Sequence, residues 1–187
     1  MSTPNSEWPA RHSVQNTARR TAAVINALSA EVPAASAAGT VADVLRAHGE
    51  PGPVSLSAHD IAEMREVADS LREVFAAEDA DMAAAVLNPL LQRTTGTFRL
   101  TSHSNGSPWH PHLDSHDDAP WGEWFLASSC LALAVLVWDR QRPPGGRCAS
   151  PRCRDVFVTL NSGPARRYCS RRCATRERVA AHRRAQA

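Results

Sequence analysis

The sequence predicts a mainly α-helical protein that ends in a small ββα module. Three observations lead there. Apolar residues recur at helical spacing up to Arg140, a Pro-Pro-Gly-Gly run at 143–146 breaks that pattern, and four of the five cysteines follow in two close pairs. At 187 residues the chain has room for a medium domain and an appendage. Apolar residues make up 43%, enough for a core, but many are alanines that bury little area each, so the core is expected to be modest.

In chain order, residues 1–10 read as a disordered tail without the charged-then-apolar pattern of a secretory signal. A first helix is predicted from His12 to Leu28, where Val14, Ala18, Ala22, Ile25 and Leu28 recur every three or four residues, and Pro33 ends it. A shorter helix is expected from Thr40 as N-cap to Gly49 as C-terminal cap, with Val41, Val44 and Leu45 inward. Ser57 followed by Asp60 predicts a capping box and a long helix carrying Ile61, Met64, Ala68, Leu71 and Phe75. A further helix over Asp81 to Gln92 is expected to be kinked or shortened by Pro89. Short strands are predicted at Phe98 to Thr101 and Trp109 to Leu113, with a last core helix from Trp121 to Arg140. The apolar stretch Trp124 to Trp138 falls short of the roughly 20 residues that span a bilayer, and Ser128 and Ser129 interrupt it, so it reads as a buried helix and no membrane partner is expected. Cys130, alone in that helix, reads as a core thiol.

The boundary between domains is placed at 143–146, giving a helical domain at 11–142 and a module at 147–187. Cys148 and Cys153 precede Cys169 and Cys173 by fifteen intervening residues, a spacing that lets four thiolates converge tetrahedrally on Zn²⁺. A module of this size buries too little apolar surface to fold unaided, so the metal would supply most of its folding free energy. Val156 to Val158 reads as a strand, Asn161-Ser162-Gly163-Pro164 as a turn and Arg166-Arg167-Tyr168 as the returning strand. Ser170 to Ala185 lacks Gly and Pro and reads as a helix with Cys173 in its first turn, giving a treble-clef-like or zinc-ribbon-like unit.

Charge separates the two parts. Residues 147–187 carry 11 Arg against Asp155 and Glu177, a net +9, while residues 1–146 carry 10 Arg against 17 acids, a net −7. The chain has no lysine, so its positive charge sits on guanidinium groups, which form bidentate contacts with phosphate and guanine edges. Unopposed positive charge on one short helix repels itself unless a polyanion neutralises it.

These motifs resemble the CGNR-type zinc finger found at the end of bacterial proteins whose helical N-terminal domain is called ABATE. The matching positions are Cys148, Cys153, Phe157, Arg166-Arg167-Tyr168-Cys169 and Cys173-Ala174-Thr175-Arg176. Thr159 stands where the family usually has Asp, and Thr175 where it has the Asn of its name motif. Val14-Gln15-Asn16-Thr17 looks like the Asn-Thr motif near the start of such N-terminal domains. The resemblance implies four cysteine ligands for zinc and a role in transcription regulation.

Between His103 and His116, alternation places His110, His112 and Asp114 on one face of a strand; the reading preferred for them is a structural role at the surface or lining the sheet, with a small-molecule or metal sensor site as the alternative that this spacing also suits. No nucleophile or phosphate loop accompanies them. The reading that follows is a cytoplasmic regulator. Its helical domain senses a small-molecule or protein effector, and its zinc module docks on DNA through Arg166, Arg167, Arg171, Arg172, Arg176, Arg178, Arg183 and Arg184. A zinc-stabilised adaptor for RNA or protein is the alternative, and a metalloenzyme centred on His110 and His112 is a third reading. The first assigns no catalytic residue.

Overall fold

The computed structural model describes residues 13–29, 33–50, 52–103, 109–160 and 166–186; the expected tail at 1–10 and the turn at 161–164 lie outside them. In chain order the elements are α1 (Val14–Leu28), α2 (Ala34–Ala47), α3 (Ala58–Val74), α4 (Ala80–Gln92), β1 (Arg99–Thr101), β2 (His110–His112), α5 (Trp121–Arg140), β3 (Gly145–Arg147), β4 (Val156–Val158) and α6 (Arg171–Ala185). The protein is thus mainly helical, with its last strands beside the cysteine-bearing segment.

Local side chains set most helix starts. The Ser13 hydroxyl accepts from Asn16 N–H (3.1 Å), and Asp79 accepts from Met82 N–H (2.8 Å). Ser57 and Asp60 form the complete reciprocal box expected of them. α2 begins at Ala34 rather than at Thr40, because Pro33 sets the entry and the alanines behind it favour helix. The Thr40 hydroxyl donates to Ser36 O (3.2 Å) inside the helix instead. At the other end Gly49 takes φ 92°, which frees its N–H for Arg46 O (2.9 Å) and that of Glu50 for Leu45 O (3.0 Å), the paired bonds of a Schellman cap. α4 runs through Pro89 to Gln92, so the helix continues past the proline, which forgoes the N–H bond to Ala85 O, and ends three residues later.

α5 is long and apolar enough to span a bilayer by composition, yet it packs against α1, α3 and α4 as the centre of a helical bundle. Phe125 and Leu133 on α5 are fully buried with Ile25, Leu45, Ile61, Met64 and Leu71 from the surrounding helices. Cys130 is buried among them, as expected of a thiol acting as a small hydrophobe. The Asn-Thr segment joins two helices: Asn16 donates through Nδ2 to His48 O (3.1 Å), and its Oδ1 meets His48 Nδ1 (3.2 Å) at the end of α2.

Two antiparallel hairpins complete the fold. β1 and β2 pair with Thr101 opposite His110 and Arg99 opposite His112. β4 pairs with β3, not with Arg166-Arg167-Tyr168, which form no strand. The reason lies in Gly145 and Gly146, read from sequence as linker. A Cβ on Gly145 would collide with the Phe157 carbonyl, so no other residue fits there, and one on Gly146 would meet the end of the Phe157 ring at 3.1 Å, so that the two glycines let β3 close tightly on the aromatic strand. Thr159 N–H donates to Pro144 O (2.9 Å) and lengthens the pairing.

The C-terminal hairpin is fastened to the bundle. Val156, 1% exposed, belongs to the same apolar core as α1 to α5. The Asn26 side chain on α1 accepts from Val156 N–H (2.8 Å) and donates to Val156 O (3.0 Å), satisfying both groups on the free edge of the strand. Arg72 of α3 donates to Arg154 O and to Ser29 Oγ, and Arg147 pairs with Glu73 (2.5 Å).

Candidate metal centre and basic helix

Each cysteine is placed by a distinct local device. Cys148 follows β3, its N–H held by Asp155 O (2.8 Å). A turn returns Cys153 N–H to Ser150 O (2.9 Å), which brings the first pair together. Ala149 N–H bonds to Arg167 O (2.8 Å), carrying the second half of the module alongside the first, and Cys169 N–H then points at Cys148 Sγ (3.4 Å). Ser170 caps α6 by accepting from Cys173 N–H (3.3 Å), so Cys173 occupies the first turn and faces inward, as expected.

The four Sγ atoms lie within 4.8 Å of one another. Cys169 Sγ is 3.6 Å from Cys153 Sγ and 3.7 Å from Cys173 Sγ. Four thiolates bound tetrahedrally at about 2.3 Å stand ~3.8 Å apart, so these spacings suit zinc, while a disulfide needs about 2.0 Å. Burial pushes the Cys153 thiol up to about 11 and raises Cys169 as well, whereas the Ser170 hydroxyl holds Cys173 below the usual range. Reluctant thiols of this kind ionise when a cation shares the site, so zinc binding releases protons and weakens as the solution becomes acidic.

Arg176, one of the arginines expected to meet DNA, keeps 38% of its side chain exposed and also reaches into the module. Its guanidinium donates to Ser150 Oγ (2.5 Å) and approaches Cys173 Sγ (3.5 Å). Ser150, 2% exposed, in turn donates to Glu177 Oε1 (2.6 Å). The Arg176 charge therefore offsets thiolate charge, and the Ser150–Glu177 pair ties α6 to the first cysteine turn. Sequence reading passed over Ser150 and Glu177. The signal available was Glu177 itself, the one acid in a helix otherwise rich in arginine.

Arg171, Arg172, Arg178, Arg183 and Arg184 are exposed along α6. Arg166 lies over the Phe157 ring (4.9 Å) and donates to Tyr168 O (2.7 Å), while Arg167 lies over Tyr168 (5.7 Å). Arg166, Arg167, Tyr168, Ser170 and Arg171 line an open cleft beside the N-terminus of α6. Of the other expected site residues, His110 and His112 stand side by side on β2, with His103 brought beside them from the end of β1.

Residues 146–186 match the family model of the CGNR zinc finger, and residues 35–140 match that of ABATE, described as "Putative stress-induced transcription regulator". No curated protein matches the chain.

Proposed function

Since the chain belongs to the ABATE family and carries a CGNR zinc finger that binds Zn²⁺ through Cys148, Cys153, Cys169 and Cys173, we propose that it is a DNA-binding transcription regulator. The observation that supports this reading is the cluster of exposed guanidinium groups around the cleft at the start of α6. Backbone N–H groups and the positive end of the helix dipole favour phosphate at such a place, and Arg166, Arg167 and Arg171 add charge to it. Arg172, Arg178, Arg183 and Arg184 continue the basic surface along the helix, while Arg176 holds the helix to the zinc ligands. Phosphate contacts dominate, and the acidic helical domain is the effector-responsive half. In this reading the protein acts in the cytoplasm, takes a small-molecule or protein effector, and catalyses no reaction.

The test is DNA binding by fluorescence anisotropy across a salt series. Each phosphate neutralised contributes about −0.9 to the slope of log K against log salt, so changing Arg167, Arg171 and Arg178 together to Ala flattens it by roughly two to three units with zinc retained. Arg176→Ala leaves the slope nearly unchanged and loosens the zinc module instead. A flat slope in the unaltered protein, with binding to RNA or to an acidic protein, makes the adaptor reading the correct one.

A further inference from the structure

The hairpin of β1 and β2 carries a second constellation that does not depend on the nucleic-acid reading. His110 and His112 project from the same face of β2, two residues apart. His103 follows β1 with a left-handed backbone (φ 46°), and its N–H donates to Thr101 Oγ1 (3.1 Å). Histidine is among the few side chains enriched in that conformation, and here it folds the imidazole back over the strand pair. The three ring centroids lie 4.9, 5.2 and 4.9 Å apart, close to an equilateral triangle.

The rings converge through matching atoms. His110 Nε2 is 3.1 Å from His103 Nε2 and 3.0 Å from His112 Nε2. Behind the triangle, His112 Nδ1 meets both Asp114 oxygens (2.8 and 2.9 Å), and His103 Nδ1 meets Asp117 Oδ2 (3.2 Å). The carboxylates are held in turn: Arg99 reaches Asp114 (2.8 Å) and Asp117 (3.0 Å), and the Thr101 hydroxyl donates to Asp117 (2.9 Å). Asp114 is almost fully buried, an unusual place for a carboxylate unless its partners fix it.

Protons alone do not satisfy this arrangement. A ring nitrogen offers one lone pair or one N–H, so His110 Nε2 can serve only one of its two Nε2 neighbours. The Asp contacts make Nδ1 the donor in His103 and His112, which turns a lone pair inward from each neutral ring. A cation at the centre accepts all three lone pairs at once. Three nitrogens bound tetrahedrally at about 2.0 Å stand ~3.3 Å apart, within a few tenths of an ångström of the contacts found. A carboxylate on the far nitrogen of a ligating histidine is the usual support of such a site.

We infer that His103, His110 and His112 bind one divalent transition-metal ion of the imidazole-preferring class, zinc foremost, through Nε2, with Asp114 and Asp117 as positioning residues. Three protein ligands leave a fourth position. His103 is the most exposed of the three, so that position is reached from the solvent side by water or by a small anionic ligand.

Zinc counting on the full-length protein tests this. The unaltered chain holds about two equivalents, Cys169→Ser retains the histidine-bound one, and His110→Ala with His112→Ala retains the cysteine-bound one. Cobalt substitution of the Cys169→Ser chain gives a visible d–d spectrum without thiolate-to-cobalt charge transfer. A single equivalent in the unaltered chain, wholly lost in Cys169→Ser, overturns the inference. Should the double histidine variant fail to fold, Asp114→Asn decides. It lowers affinity for the second equivalent by about 10–100-fold without moving the first, and an unchanged second affinity again overturns the inference.

Discussion

The helical bundle and the C-terminal module solve the same problem by different means. In the bundle, α5 is wrapped by α1, α3 and α4, and side chains such as Phe125, Ile25 and Leu71 leave water entirely. In the module, α6 buries little beyond Cys173, and four converging sulfurs take the place of a core. Surface composition follows from the source of stability. A helix that needs no apolar face is free to carry arginine at many of its positions, as α6 does at 171, 172, 176, 178, 183 and 184. The two regions are nonetheless joined, because Val156 of the module's hairpin lies in the core of the bundle.

The largest effect expected is the loss of the metal. Cys169→Ser removes one of four ligands, so zinc content falls and the α6 contribution to circular dichroism disappears. The bundle stays helical but melts at a lower temperature, since Val156 is no longer held in place. Stoichiometric zinc in this variant would show that the module is not held by four cysteine ligands. The converse substitution, Phe125→Ala, empties a fully buried site and costs about 3–5 kcal/mol of bundle stability. If zinc remains bound while the bundle's denaturation midpoint drops, the two regions are separately stabilised. Simultaneous loss would show a single cooperative unit.

Asn26→Ala addresses the joint itself. It strips the partners from Val156 N–H and Val156 O, at a cost of about 1–3 kcal/mol. Zinc should stay bound, and hydrogen exchange at Val156 should accelerate while Ile25 and Leu133 remain protected. A smaller effect comes with acid. Burial opposes ionisation of Glu123, but bonds from the Thr95 hydroxyl and Ser115 N–H outweigh it and hold its carboxyl below the usual value. The stabilisation is therefore present above the unfolded-state pKa and is lost as pH falls through the lower folded value. With solvent screening it amounts to less than about 1 kcal/mol, so Glu123→Gln should flatten the acid limb of a pH–stability curve only slightly.

Much of this architecture was written locally. The Ser57–Asp60 box and the Gly49 cap follow from groups a few residues apart, the 20-residue span of α5 from one continuous apolar stretch, and periodicity reports burial directly. The zinc ligands were readable for a similar reason: metal geometry restricts cysteine spacing so tightly that the pairs identify themselves. Long-range pairing was not so encoded. Arg166 to Tyr168 have the look of a strand, but Gly145 and Gly146 accept the Phe157 strand because they lack side chains, a fact about close approach and not about propensity. Arg176 resembles its neighbours along the chain, and only the position of Ser150 turns it inward. His103 stands seven residues before His110 with no periodic relation to it, and the left-handed turn after β1 is what closes the three imidazoles into one cluster. Propensity and spacing act over one helical turn, whereas these contacts depend on where distant segments come to rest against each other.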